Sequence, residues 1–197
     1  CSVAILVDRA LGGTTQVTSS DLSFKIVVPF FGGRDDREAL SYAVRMADHP
    51  GISLQVMRVT GGVINGGDVV EDDVQLLNAV EEMANKEESI SYNEVAADSP
   101  GNVVEMLNSL SKCNLFLVGR KAPVRPLVRA TDCPELGPVG SFLAASEFSN
   151  TASVLVVQQY HPESAIHSLV IEQENGELFD SPDTPNGSLH KTSLPIV

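Results

Sequence analysis

The stretch KIVVPFFGGRDDREALSYAVRMADHPGISLQVMRV, residues 25–59, reads as strand, turn, helix and strand. Lys25 to Phe31 is β-branched and aromatic and runs into Gly32-Gly33. Asp35 and Glu38 then have the form of a capping box, a carboxylate at the N-cap and a Glu three residues later. The helix that follows sets Ala39, Leu40, Ala43, Val44 and Ala47 on one face and stops before Pro50-Gly51. Ile52 to Val59 alternates as a strand does. A unit of this kind implies two parallel strands joined by a right-handed crossover.

Working outward, the pattern repeats. Glu71 to Glu87 is an acidic amphipathic helix with Val74, Leu77, Val80 and Ala84 inward, and Ile90 to Ala96 is a strand. Ser99 is an N-cap with Pro100 at the first helical position, opening a helix to about Lys112. Leu115 to Val118 is a core strand ending in Gly119. A loop over 120–137 leads to a helix from about Pro138 to Ser149, and Val154 to Val157 is the last strand. Near the start, Val3 to Val7 is a continuous apolar run of the kind found in strands buried on both faces. Residues 9–24 read as a linker, and 160–197, rich in Pro, Ser, Asn and acids, as a disordered acidic tail. The expected domain is 25–159: an open doubly wound α/β fold with a five-stranded parallel sheet, plus one extra N-terminal strand.

Composition narrows the function. Thirteen Lys and Arg against 26 Asp and Glu leave a net charge of −13 over 197 residues, while 43% hydrophobic residues suffice for one buried core. Nucleic acid and broad anionic membrane surfaces are poor partners for such a chain. No run approaches the roughly 18 apolar residues of a membrane span. The three scattered cysteines, Cys1, Cys113 and Cys133, suit a reducing compartment. His49, His161, His167 and His190 lie apart with no Cys or carboxylate at ligand spacing, so no metal is expected. Ser141 lacks the Gly-x-Ser-x-Gly elbow, Gly61-Gly62 and Gly66-Gly67 lack the Gly-Lys-[Ser/Thr] of a Walker loop, and no catalytic residue is expected.

Several strings carry a resemblance. Lys25-Ile-Val-Val-Pro, the Asp35-Asp36-Arg-Glu-Ala-Leu run and Ser153-Val-Leu-Val-Val resemble the opening and close of a universal stress protein domain. Over nearly the whole chain, FGGRDDREAL (31–40), CPELGPVG (133–140) and ASVLVVQQY (152–160) resemble the cytosolic C-terminal tail of plant cation/H+ exchangers, the CHX family. That resemblance implies a non-catalytic regulatory domain on the cytosolic face of a membrane. Its partner would be the membrane-embedded antiporter domain of the same polypeptide, exchanging K+ or a related monovalent cation for H+. It also implies two such domains in tandem. The echo of Ser2-Val-Ala-Ile-Leu-Val7 in Ser153-Val-Leu-Val-Val-Gln158 then makes residues 1–8 the last strand of a preceding repeat, in a chain cut from something longer. Val3–Val7 should run antiparallel to Val154–Val157, in tandem within one chain or exchanged in a homodimer, because an apolar edge needs a cover. The alternative function is a free-standing nucleotide-binding universal stress protein. A nucleotide hydrolase on the same fold has only the fold behind it.

The resemblance to ATP-binding universal stress proteins implies where a nucleotide would sit. Those proteins hold adenine with an Asp after the first strand and phosphates with Gly-x-x-Gly-x9-Gly-[Ser/Thr]. Here Pro29-Phe30-Phe31 supplies no carboxylate, Ala122 replaces the second glycine, and Gly119 and Gly140 lie further apart than the motif allows. Gly119, Arg120, Lys121, Gly140 and Ser141 are the candidate nucleotide or anion site, but ATP is not expected to bind tightly, and no cofactor is. Arg120, Lys121, Arg125 and Arg129 concentrate cations in one loop of an acidic chain. Either they meet an anionic ligand, lipid headgroups or a partner's acids, with Arg125 and Arg129 as the partner surface, or they are solvated beside Glu135 and the acids of 71–73.

Overall fold

A computed structural model describes residues 1–9, 24–62, 70–110, 112–124, 127, 133–145 and 152–160. In chain order the elements are β1 (Val3–Val7), β2 (Phe24–Phe30), α1 (Arg34–Ala47), β3 (Ile52–Thr60), α2 (Glu71–Ala84), β4 (Ile90–Ala96) and α3 (Pro100–Ser109). After these come β5 (Leu115–Gly119), a single 3-10 turn at Pro134–Leu136, α4 (Gly137–Ala144) and β6 (Ser153–Gln158). The sheet order is β1-β6-β5-β2-β3-β4. From β6 to β4 all neighbours are parallel, with Ile26 opposite both Leu54 and Leu115. Only β1 is antiparallel, pairing with β6 from Val3↔Gln158 to Val7↔Val154. This is the doubly wound sheet and the extra strand that the sequence implies.

The apolar runs of β2, β5 and β6 follow from burial on both faces, whereas β1, whose run suits the same burial, is exposed at four of its five residues because it lies at the sheet edge. Ile26, Val28 and Phe30 of β2 join Ala39, Leu40 and Ala43 of α1 and Leu77 and Val80 of α2 in one core. Val27, Phe116 and Val154 face the other way, toward Val103 and Leu107 of α3 and Val139 and Leu143 of α4. The small side chains of α1 let it lie close on the sheet, and Ala39, Leu40 and Ala43 are fully buried.

Helix boundaries depart from the sequence reading in instructive ways. The α1 helix starts at Arg34 with Gly33 as its N-cap, and no side chain caps it. Gly32 and Gly33 take φ of 112° and 90°, which turns the chain tightly enough to place Asp35 and Asp36 inside the first turn. Asp35 and Glu38 therefore form no capping box; the carboxylates reach elsewhere. The α2 helix ends at Ala84 and not Glu87, because Asn85-Lys86-Glu87 offers no apolar side chain to hold a further turn on the sheet. The α3 helix ends at Ser109, short of Lys112, and α4 spans Gly137–Ala144, short of Ser149. Ser99 does cap α3, accepting from Asn102 N–H, with Pro100 at the first position. The linker expected over 9–24 and the tail over 160–197 lie, but for Arg9, Phe24 and Tyr160, outside the described residues.

Candidate functional site

In a doubly wound sheet, ligands bind beyond the carboxyl ends of the strands where the strand order reverses. Here that point lies between β2 and β5. The chain leaves β2 for α1 on one face, whereas α4, which follows β5, packs on the other. Backbone N–H groups from three strand ends gather there, as they would to cradle an anion.

Two carboxylates of the protein itself fill the cradle. Asp36 Oδ2 accepts from the N–H groups of Phe31 (2.7 Å) and Gly32 (3.0 Å), and Oδ1 accepts from Gly119 N–H (2.9 Å). Asp35 Oδ2 accepts from Lys121 N–H (3.0 Å) and Oδ1 from Gln159 N–H (3.0 Å). Both residues are buried, 3% and 2% exposed. The ends of β2, β5 and β6 are thus tied to the first turn of one helix. Burial pushes the Asp36 carboxyl up to about 7; the three amide donors pull it down and Asp35's charge adds to the rise. A second tie holds the start of α2: Gly33 N–H donates to Asp73 Oδ2 (2.9 Å), and Arg37 pairs with Asp73 and, at 3.5 Å, with Asp72.

The sequence-predicted residues are only partly brought together. Gly119 is in the cradle, and its lack of a side chain is required: a Cβ there would collide with Asp36 Oδ1, Asp36 N and the Asp35 carbonyl carbon. Lys121 contributes its backbone N–H while its side chain is exposed. The Arg120 guanidinium donates to Glu135 O (2.8 Å) and Gln158 Oε1 (2.9 Å), and its own N–H to Val157 O (2.8 Å). Arg120 is therefore fastened along the sheet end and answers the Glu135 backbone carbonyl, not its carboxylate. Gly140 is buried where α4 meets β6, a built Cβ lying 2.6 Å from Val156 Cγ2. Ser141 Oγ donates to Cys133 O (3.1 Å). Arg125 and Arg129 lie outside the described residues. The sequence reading missed Asp35 and Asp36 as the carboxylates of this site, having looked for one only at 29–31. The visible signal was a pair of adjacent acids just past a Gly-Gly turn.

Element order, sheet order and the filled switch point define an open, doubly wound α/β domain whose ligand crevice is occupied by its own carboxylates. Among solved structures the chain is similar to universal stress protein UspA from Lactobacillus plantarum, at 12% identity and a TM-score of 0.42, covering 71% of this chain and 100% of that one. A family model, plant cation/H(+) antiporter, C-terminal domain, matches residues 23–158, and the chain belongs to that family. It is 49% identical over 184 residues to Cation/H(+) antiporter 19 of Arabidopsis thaliana, covering 87% of this chain and 23% of the relative. Against Cation/H(+) antiporter 18 of the same plant the identity is 40%, covering 82% and 22%. The chain thus spans about a quarter of the length of these curated relatives. Among the described residues no helix is long and apolar enough to cross a membrane.

Proposed function

We propose that this chain is a non-catalytic regulatory domain at the cytosolic face of a membrane, acting on the antiporter part of its own polypeptide. That part would exchange K+ or a related monovalent cation for H+. The observation that carries the reading is the self-filled cradle: where this fold holds ligands, Asp35 and Asp36 already occupy the amides. A domain that binds one transporter state better than another shifts the population toward it without any chemistry of its own. Residues 1–8 are read as the last strand of a preceding repeat and 25–159 as the regulatory domain proper. Supporting that division, Val3, Ile5 and Leu6 stay 56%, 37% and 49% exposed in a strand whose sequence suits burial on both faces.

The test is cation/H+ exchange in vesicles by the parent transporter, intact and cut before residue 1. Exchange should persist with an altered rate or pH dependence. Abolished exchange by a correctly delivered truncated transporter, or exchange identical to the intact protein's, overturns the regulatory reading. The alternative, a nucleotide-binding stress protein, is separated by calorimetry. ATP titrated into the 197-residue chain should give no binding tighter than about 100 μM, since a phosphate must displace two buried carboxylates from their amides. Micromolar binding promotes the alternative.

A further inference from the structure

The two edges of the sheet are β1 and β4, and they differ in character. Whereas β1 is apolar throughout, β4 leaves Ser91, Asn93, Glu94 and Ala96 exposed. The backbone of β4 has a definite phase. At its two ends, Leu54 N–H donates to Ser89 O (2.8 Å) and Ala97 N–H to Thr60 O (2.7 Å). Odd-numbered residues therefore turn their backbone groups to β3, and the two-residue period turns those of Tyr92, Glu94 and Ala96 outward. Among the described residues no strand pairs with that edge. The charges along it are of one sign. Residues 87–98 hold Glu87, Glu88, Glu94 and Asp98, all exposed, and neither Lys nor Arg. Lys86, just before the strand, pairs with Glu82 (3.8 Å), and Arg58, opposite Glu94 on β3, pairs with Glu94 (2.9 Å). Glu94 is held in place, its Oε1 accepting from both Tyr92 Oη (2.7 Å) and Arg58 Nη1 (2.9 Å). A carboxylate anchored through one oxygen keeps the other, Oε2, for a donor beyond the edge, and the side chain is 50% exposed.

We propose that the outer edge of β4 is a docking surface for an extended protein segment carrying Lys and Arg, which adds to the sheet as a further strand. Main-chain hydrogen bonds to Tyr92, Glu94 and Ala96 hold the segment, while its cations face Glu94 and the acids at either end. Charge decides the occupant. A second copy meeting this one edge to edge would set these acids against one another, and each copy carries −13. An anionic lipid surface is repelled likewise. Charge on an edge deters stray pairing, and here it does so selectively, because acids reject acidic strands and admit basic ones. This inference stands apart from the transport reading, because it concerns only the folded chain.

A blocked peptide of alternating Lys and Val, matched to β4 at 7 residues, tests this on the 197-residue chain, with the Glu-for-Lys peptide as control. Amide hydrogen exchange is followed by NMR. With the Lys peptide bound, exchange at Tyr92, Glu94 and Ala96 should slow by about tenfold, while Asn93 and Val95, already bonded to β3, stay as they were. Ala96→Pro removes an outward N–H and no charge, at an edge position that tolerates proline. It should weaken binding by about fivefold, the worth of one hydrogen bond. Glu94→Gln should weaken binding too, and flatten its salt dependence. No binding of the Lys peptide, equal binding of the Glu peptide, or slowed exchange along Val3–Val7 in place of β4 overturns the proposal. So does binding that Ala96→Pro leaves unchanged, which is charge attraction alone. Should that variant not fold, the exchange pattern of the unaltered chain decides: slowing confined to Tyr92, Glu94 and Ala96 supports edge pairing, and slowing at none of them overturns it.

Discussion

Replacing Gly119 by alanine is expected to lower the stability of the domain by about 3 kcal/mol, the upper range for forcing extra volume into a packed interior. The added methyl would lie against Asp36 Oδ1, the Asp36 nitrogen and the Asp35 carbonyl carbon. A side-chain oxygen can rotate away, but two of these three atoms are backbone in the first turn of α1. Moving them means lifting α1 from the sheet, where Ala39, Leu40 and Ala43 are fully buried. Any such shift also breaks the Asp36–Gly119 hydrogen bond. The backbone at Gly119 is not in the left-handed region, so the effect is one of space alone. Gly101 in α3 is the control: a Cβ there meets nothing closer than Ser99 Oγ at 3.6 Å, and Gly101→Ala should leave stability unchanged or raise it by a few tenths of a kcal/mol. Urea unfolding of both variants checks this, and equal midpoints would refute the close approach of α1 to β5.

Removing residues 1–8 should convert the chain into a self-associating one, strengthening dimerisation at least tenfold. Through β1 the edge of β6 is paired from Val154 to Gln158, Val3↔Gln158 to Val7↔Val154. The cover is fastened at its end, where Ser153 Oγ donates to Asp8 Oδ1 (3.0 Å) and accepts from Arg9 N–H (2.9 Å). Without it, Val154 to Val157 would present an apolar edge with open donors and acceptors, a template for another strand. Two copies can satisfy each other by pairing β6 with β6 antiparallel, much as β1 now pairs with β6. Sedimentation equilibrium of the full and shortened chains measures the change; a shortened chain that sediments as the full one does would remove the covering role of β1.

Much of this molecule was legible locally. Short β-branched and apolar runs at 26–28, 115–118 and 154–157 read as strands, and the 3.6-residue spacing of Ala39, Leu40, Ala43 and Ala47 gave α1 its inner face. Ser99-Pro100 marked the start of α3 to the residue. The pairing of β1 with β6 was also readable, because an apolar edge demands a cover and Val3–Val7 was the unclaimed strand. The start of α1 was not. Asp35 and Glu38 fit a capping box in sequence, yet the positive φ at Gly32 and Gly33 moves the helix start to Arg34 and frees both aspartates to turn toward the sheet.

The sequence by itself determined the alternation of strands and helices, the parallel sheet with its extra strand, and the family strings, because each depends on residues a few positions apart. The filling of the switch point was decided only by tertiary structure. Asp36 and Gly119 are 83 positions apart, Asp35 and Gln159 are 124 apart, and they meet because crossovers on opposite faces bring the ends of β2, β5 and β6 together. A carboxylate shows in sequence that it can accept hydrogen bonds; which amides it accepts from, and whether water reaches it, depends on what the rest of the chain packs around it.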